Sequence, residues 1–123
     1  MAKKEKLIEK AQKFIQKGYN DKAVVEYKKV LEMDPSDISI RLRLGDLYSK
    51  SGMKDEAIKE YEDVAKVNTK KGFYLKAIAV YKQILKLDET SLEVHNKLAD
   101  LYAKQRLHSD ARSEYSYIVG VYE

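Results

Sequence analysis

One motif constrains this chain more than any other feature. Ala-x-x-x-Tyr occurs four times, begun by Ala23, Ala57, Ala77 and Ala111 and completed by Tyr27, Tyr61, Tyr81 and Tyr115. An aliphatic residue follows each tyrosine three positions on, at Val30, Val64, Ile84 and Ile118. A small residue, a ring four later and an aliphatic three beyond that share one face of an α-helix, so each occurrence predicts a helix packed by that face against another. The intervals between successive alanines are 34, 20 and 34, and such recurrence marks a repeat array rather than a unique fold.

Other residues report the same register. Gly18, Gly52 and Gly72 each lie five positions before one of the first three alanines, where a helix must end and a tight turn begin. The fourth turn, near Gln105 and Arg106, has no glycine. A second motif, Leu-small-x-x-Tyr, appears at Leu44-Gly45-x-x-Tyr48 and Leu98-Ala99-x-x-Tyr102, and its two occurrences stand as far apart as Ala23 and Ala77. The pattern predicts seven helices, near residues 3–17, 21–33, 37–51, 54–70, 73–87, 91–105 and 108–122, with Ser36, Ser91 and Ser109 as amino-terminal caps.

These motifs resemble the tetratricopeptide repeat, whose pattern places Leu-Gly-x-x-Tyr in a first helix, Ala-x-x-x-Phe in a second and Pro near the end. The resemblance covers nearly the whole chain and implies an all-α, antiparallel helix-pair array of the superhelical solenoid type in one domain, 1–123, with about three and a half repeats. Residues 4–37 form the first repeat, closed by Pro35, and 38–71 the second, with Arg41 where the family often has Trp. Residues 92–123 form the last, with His95 in that aromatic place.

The interval of 20 leaves about one helical arm missing, and two accommodations are open. Either the helix over 54–70 serves two repeats, or seven helices stack with one pairing distorted. The overlapping frame 58–91 favours the first, because Tyr61, Val64, Ala65, Gly72, Ala77, Tyr81 and Ile84 fall at the family's spacings, with Asn68 as its weak point. On that reading the inner and outer helix layers exchange at this helix and interrupt the groove.

Composition narrows the function. With 44% hydrophobic residues and 36% charged, the chain buries a core rather than remaining disordered. There is no Cys, hence no disulfide framework and no thiolate metal site. The amino terminus lacks a signal-peptide core, and no apolar run nears the ~18 residues of a membrane span, so a cytoplasmic location is the default expectation. A net charge of +4 arises from 24 basic and 20 acidic residues that are interspersed, which argues against the basic stripe of a nucleic-acid binder. His95 and His108 lie apart from any metal-ligand cluster and the glycines are isolated, so the sequence points to no catalytic, metal or cofactor site. Of ten tyrosines, Tyr27, Tyr48, Tyr61, Tyr81, Tyr102 and Tyr115 fall at packing positions, leaving Tyr19, Tyr74, Tyr117 and Tyr122 as contact candidates.

Family members bind peptides in a groove lined by first helices, and the resemblance implies a non-catalytic adaptor or scaffold with a protein or peptide partner. The corresponding residues are Glu9, Gln12 and Gln16, then Arg43, Asp46 and Lys50, then Asn96, Lys97, Asp100 and Lys104. A family subset grips chaperone carboxylates with Lys, Asn and Arg. Ile8, Gln12, Arg43, Glu93 and Lys97 stand at those places, so most of that clamp is absent. The last helix offers a second surface: Tyr115, Tyr117, Ile118, Val119 and Tyr122 form an apolar edge that either continues into further repeats or pairs with another copy. The alternative function is a nucleic-acid or acidic-surface binder using the excess lysines.

Overall fold

A computed structural model describes residues 2–122, so Met1 and Glu123, the two ends of the predicted domain, lie outside the described residues. Among the described residues seven helices follow in order: α1 (Lys3–Gln16), α2 (Asn20–Met33), α3 (Ile38–Lys50), α4 (Lys54–Lys70), α5 (Tyr74–Leu87), α6 (Leu92–Lys104) and α7 (His108–Tyr122). Among the described residues there is no strand. Each helix falls within one residue of its expected bounds, because the turns are chemically explicit.

Four connections use one and the same turn. The N–H groups of Tyr19, Met53, Phe73 and Leu107 donate to the carbonyls of Phe14, Tyr48, Asn68 and Tyr102 at 2.8, 2.9, 2.8 and 2.8 Å. The residue before each donor is left-handed: Gly18, Gly52 and Gly72 at φ 81°, 77° and 81°, and Arg106 at 58°. A left-handed residue closes a helix by turning its last carbonyls onto the following N–H groups, and glycine does so without steric cost. The turn that lacks glycine therefore forces an arginine into that conformation.

The other two connections, α2–α3 and α5–α6, differ. Asp34 and Asp88 donate their N–H groups to the carbonyls of Val30 and Ile84, both at 2.9 Å. The next helices are then capped by Asp37, whose Oδ1 accepts from the Ile40 N–H at 3.0 Å, and by Ser91, whose Oγ accepts from the Val94 N–H at 3.3 Å. Ser91 caps as expected. Ser36 does not: the helix begins at Ile38, which puts Asp37 at the cap, and the Ser36 hydroxyl donates to Asp34 at 2.7 Å instead. Ser109 lies inside the first turn of α7 rather than before it.

The described chain divides into two compact units, one ending at Glu60 and the other beginning at Tyr61, with the division inside α4. In the first unit α1 packs on α2 and α2 on α3; in the second α5 packs on α6 and α6 on α7. The units are the same design displaced along the chain by the interval from Ala23 to Ala77. The bounds of α2 and α5, the bounds of α3 and α6, the starts of α4 and α7, and the ends of α1 and α4 all differ by that interval.

The cores match position for position. Ala11, Ala23, Tyr27, Val30, Leu44, Tyr48 and Ala57 are buried in the first unit, and their counterparts Ala65, Ala77, Tyr81, Ile84, Leu98, Tyr102 and Ala111 are buried in the second. Alanine at the closest approaches lets backbones come together, and the rings and branched chains fill the remaining space at about 1.5–3 kcal/mol for each large side chain fully buried. Some pairs differ. Glu26 is buried where the second unit has Val80. Tyr61 is 2% exposed whereas its counterpart Tyr115 is 47% exposed, which corrects the expectation that Tyr115 packs like the other five repeat tyrosines.

Candidate functional site

Each unit carries a cleft between its first, second and third helices. In the first unit α1 supplies Gln12 and Ile15, α2 supplies Tyr27, and α3 supplies Arg43, Asp46, Leu47 and Lys50 around about 260 Å³. In the second unit the end of α4 supplies Lys66, Thr69 and Lys70, α5 supplies Tyr81, and α6 supplies Lys97, Asp100, Leu101 and Lys104 around about 430 Å³. Every lining residue of the first cleft has its counterpart in the second at the same displacement that relates the cores. The frame is therefore a product of the repeat register, and the larger cleft falls in the range of about 300–1,000 Å³ usual for ligand sites.

Within that frame the floor is constant and the walls vary. Tyr27 and Tyr81 are buried together with Leu47 and Leu101, which gives both clefts an apolar base. Asp46 and Lys50 recur as Asp100 and Lys104 on the rim. Gln12 is replaced by Lys66, so the second cleft carries four lysines against one aspartate. Burial, reinforced by the Glu93 and Glu62 carboxylates, holds the Tyr81 phenol above its ordinary titration range, with the Thr69 hydroxyl pulling the other way. Tyr81 thus stays a neutral hydroxyl at the base of the cleft.

The structure brings together seven of the ten residues expected at the groove. Gln12, Arg43, Asp46 and Lys50 meet in the first cleft and Lys97, Asp100 and Lys104 in the second. Glu9 lies elsewhere on α1, 3.4 Å from Lys13 and beside Lys6 and Lys10. Gln16 and Asn96 are exposed and line neither cleft. Lys66, Thr69 and Lys70 line the second cleft without having been expected there, although the displacement that carries Tyr27 to Tyr81 also carries Gln12 to Lys66. That signal is masked because α4 reads first as the second helix of its own repeat.

The apolar edge of α7 is only partly buried. Tyr115, Tyr117, Val119 and Tyr122 are exposed and Ile118 is half-buried. The Tyr117 ring stacks at 3.9 Å, tilted by 32°, on the His95 imidazole. His95 is buried, with Nδ1 at 2.5 Å from Glu114 and Nε2 at 3.0 Å from the Glu89 carbonyl, so it braces α6 against α7. His108 is exposed at the start of α7. Among the described residues no cluster of three metal-ligating side chains occurs, and no helix is long and apolar enough to cross a membrane.

Comparison with known proteins agrees with this register. Residues 11–52 match the family described as TPR repeat, and residues 38–71 the family described as Tetratricopeptide repeat. Among solved structures, the chain is similar to MamA 41-end from Desulfovibrio magneticus RS-1 at 18% identity, covering 95% of this chain and 74% of that one with a TM-score of 0.51, a likeness of fold. It is also similar to a tetratricopeptide repeat protein from Parabacteroides merdae at 22% identity, covering 96% of this chain and 53% of that one, with a TM-score of 0.49. A third is YrrB, a TPR protein with an unusual peptide-binding site, at 19% identity, 93% and 66% coverage and a TM-score of 0.46. Among curated proteins no sequence matches. Residues 11–71 thus carry matches to the tetratricopeptide repeat, and its turn, spacing and core recur along the remaining helices.

Proposed function

We propose that this chain is a non-catalytic interaction module that holds protein partners by laying peptide segments in its two clefts. The observation that supports this is the recurrence of one cleft frame, an apolar floor with a polar rim, in both units at equivalent positions. Core packing needs the buried tyrosines and leucines but not the exposed Asp46, Lys50, Asp100 and Lys104, whose repetition fits a contact surface. The test is capture of cytoplasmic partners by the intact chain beside a variant with Arg43, Lys50 and Lys97 reversed to Glu. Partners held through the clefts are lost from the variant and crosslink to α3 or α6 in the intact chain. Equal recovery of the same partners by both chains defeats the reading.

Two finer readings belong to the same proposal. The helix α4 serves two repeats within a single cooperative domain, since the same left-handed turn stands at both its ends while the other type of connection is found only at α2–α3 and α5–α6. A second copy of the chain covers the outer face of α7, because the counterpart positions Tyr61, Val64 and Ala65 are buried while Tyr115 and Val119 are open. Sedimentation of the intact chain and of Val119→Glu checks this second point: a dimer that dissociates in the variant supports it, and a monomer at every concentration removes it.

A further inference from the structure

The second cleft has a charge that its frame does not require. Gln12 and Gln16 of α1 become Lys66 and Lys70 of α4, and Arg43 becomes Lys97. Among the described residues Lys66, Lys70 and Lys97 form no ion pair with a carboxylate, and all three are exposed. Lys104 completes the set, its ammonium 5.2 Å above the Tyr74 ring. Four ammonium groups thus face about 430 Å³ with one carboxylate, Asp100, among them. The counterpart cleft has two cationic residues and one aspartate around about 260 Å³.

The spacing of these charges selects a shape. Lys66 and Lys70 are one helical turn apart, about 6 Å along the axis at about 1.5 Å per residue. Alternate residues of an extended chain are separated by about 6.6 Å on one face. Glu62 and Glu93 lie one turn before Lys66 and Lys97, so the cationic surplus is concentrated toward the carboxyl ends of α4 and α6, where the helix dipoles add partial negative charge but four side-chain cations outweigh it.

We propose that the cleft between α4, α5 and α6 is a docking site for an extended peptide segment with Asp or Glu at alternate positions. Its carboxylates pair with Lys66, Lys70 and Lys97, and its intervening apolar side chains rest on Tyr81 and Leu101. This rests on the reading of the clefts as peptide sites and adds the chemistry of the guest. Charge complementarity carries the choice of an acidic peptide. A phosphate polymer is the competing anion, but it offers no apolar side chains for the Tyr81–Leu101 floor.

The test uses the whole chain and fluorescence anisotropy with three labelled probes, Glu-Leu-Glu-Ala-Glu-Leu, its all-Gln analogue, and a single-stranded oligonucleotide of equal charge, at two salt concentrations. The acidic peptide is expected to bind about five- to tenfold more tightly than the Gln analogue, and Lys66→Gln with Lys97→Gln to abolish that difference while Lys86→Gln, exposed on α5 and outside both clefts, leaves it intact. Circular dichroism confirms folding, and the substituted lysines are exposed. If the Gln analogue binds as well as the acidic peptide, the acidic specificity is wrong and the peptide-cleft reading survives. If neither peptide binds, both fail. If the oligonucleotide binds more tightly and loses affinity steeply with salt, the guest is a phosphate polymer and the proposal is overturned.

Discussion

Arg41 and Glu60 join α3 to α4 through a 3.0 Å contact between Nη1 and Oε2, and His95 and Glu114, at the equivalent positions of the second unit, make the same link between α6 and α7. Both side chains also reach a backbone carbonyl just before their own helix, Pro35 for Arg41 and Glu89 for His95. The family often has Trp at this position, and here a hydrogen-bonded cross-link takes its place. The partners of both links have the same separation in sequence, which places the carboxylate opposite the nitrogen-bearing side chain once a hairpin has closed.

His95→Arg should therefore preserve most of the stability, because the first unit already shows that a guanidinium fits this geometry. Glu114→Ala should cost about 1–3 kcal/mol, since it strips a buried imidazole of its acceptor. Urea unfolding of the two variants measures both. Equal loss in the two would show that ring packing on Tyr117, and not the link to Glu114, sets the role of His95.

Glu26 is a misfit of opposite sign. It is 4% exposed, its Oε2 has no hydrogen-bond partner, and its Oε1 reaches only Lys29 at 3.4 Å and Lys10 at 3.7 Å. Val80 occupies the counterpart position. Glu26→Val should raise the stability by about 1–2 kcal/mol, because relief of an unsatisfied buried oxygen exceeds two contacts to half-exposed lysines. Thermal or urea denaturation decides the sign.

Arg106 occupies the left-handed turn position that glycine holds elsewhere. Arg106→Gly should stabilise the chain by about 0.5–1 kcal/mol, and Gly52→Ala should destabilise it by about 1 kcal/mol. An added Cβ at Gly52 would meet no atom within 4 Å, so that cost is purely conformational. A denaturation midpoint that moves the other way in either variant would remove the conformational explanation.

The start of α1 is tied to the α2–α3 turn by Lys4, 2.9 Å from Asp34 and 2.6 Å from Asp37. Hydrogen bonds to Asp37 and then Asp34 raise the pKa of Lys4. The Ser36 hydroxyl and then Lys4 lower that of Asp34, and at Asp37 burial opposes but Lys4 and the Ile40 N–H prevail, so it too is lowered. Depressed carboxylates stabilise the fold above their unfolded pKa of about 4 and lose that contribution as the pH falls through the folded values. A raised lysine stabilises below about 10.4 and loses its contribution as the pH climbs through its folded value. The tie should therefore be strongest between these limits, and Lys4→Met should flatten the acid limb of a stability–pH profile while leaving the neutral slope unchanged.

How far the sequence can be read follows from which interactions are local. Glycines at a fixed distance before Ala-x-x-x-Tyr mark three of the four left-handed turns, and the recurring register carries the other helix boundaries to within one residue, because turns and caps are settled by neighbours in the chain. The caps show where this reading is too coarse: Ser36 and Asp37 are both capping residues by type, and only backbone direction selects Asp37. The α4 wall of the second cleft, Lys66, Thr69 and Lys70, is hidden for a related reason. Lys66 and Lys70 sit on a helix that already satisfies one repeat pattern, and the overlapping frame 58–91 marks its core positions without showing which polar residues beside them face Tyr81 and Lys97.

The sequence alone determined the helices, their turns and the residues that fill both cores, since these depend on the helical period and on contacts a few positions apart. Tertiary packing alone decided that Tyr61 is buried while Tyr115 faces solvent, that Glu26 keeps one oxygen unpartnered where Val80 has none to satisfy, and that lysines from α4 and α6 face one space. Burial and charge convergence depend on which helix lies opposite, and a one-dimensional pattern does not hold that information.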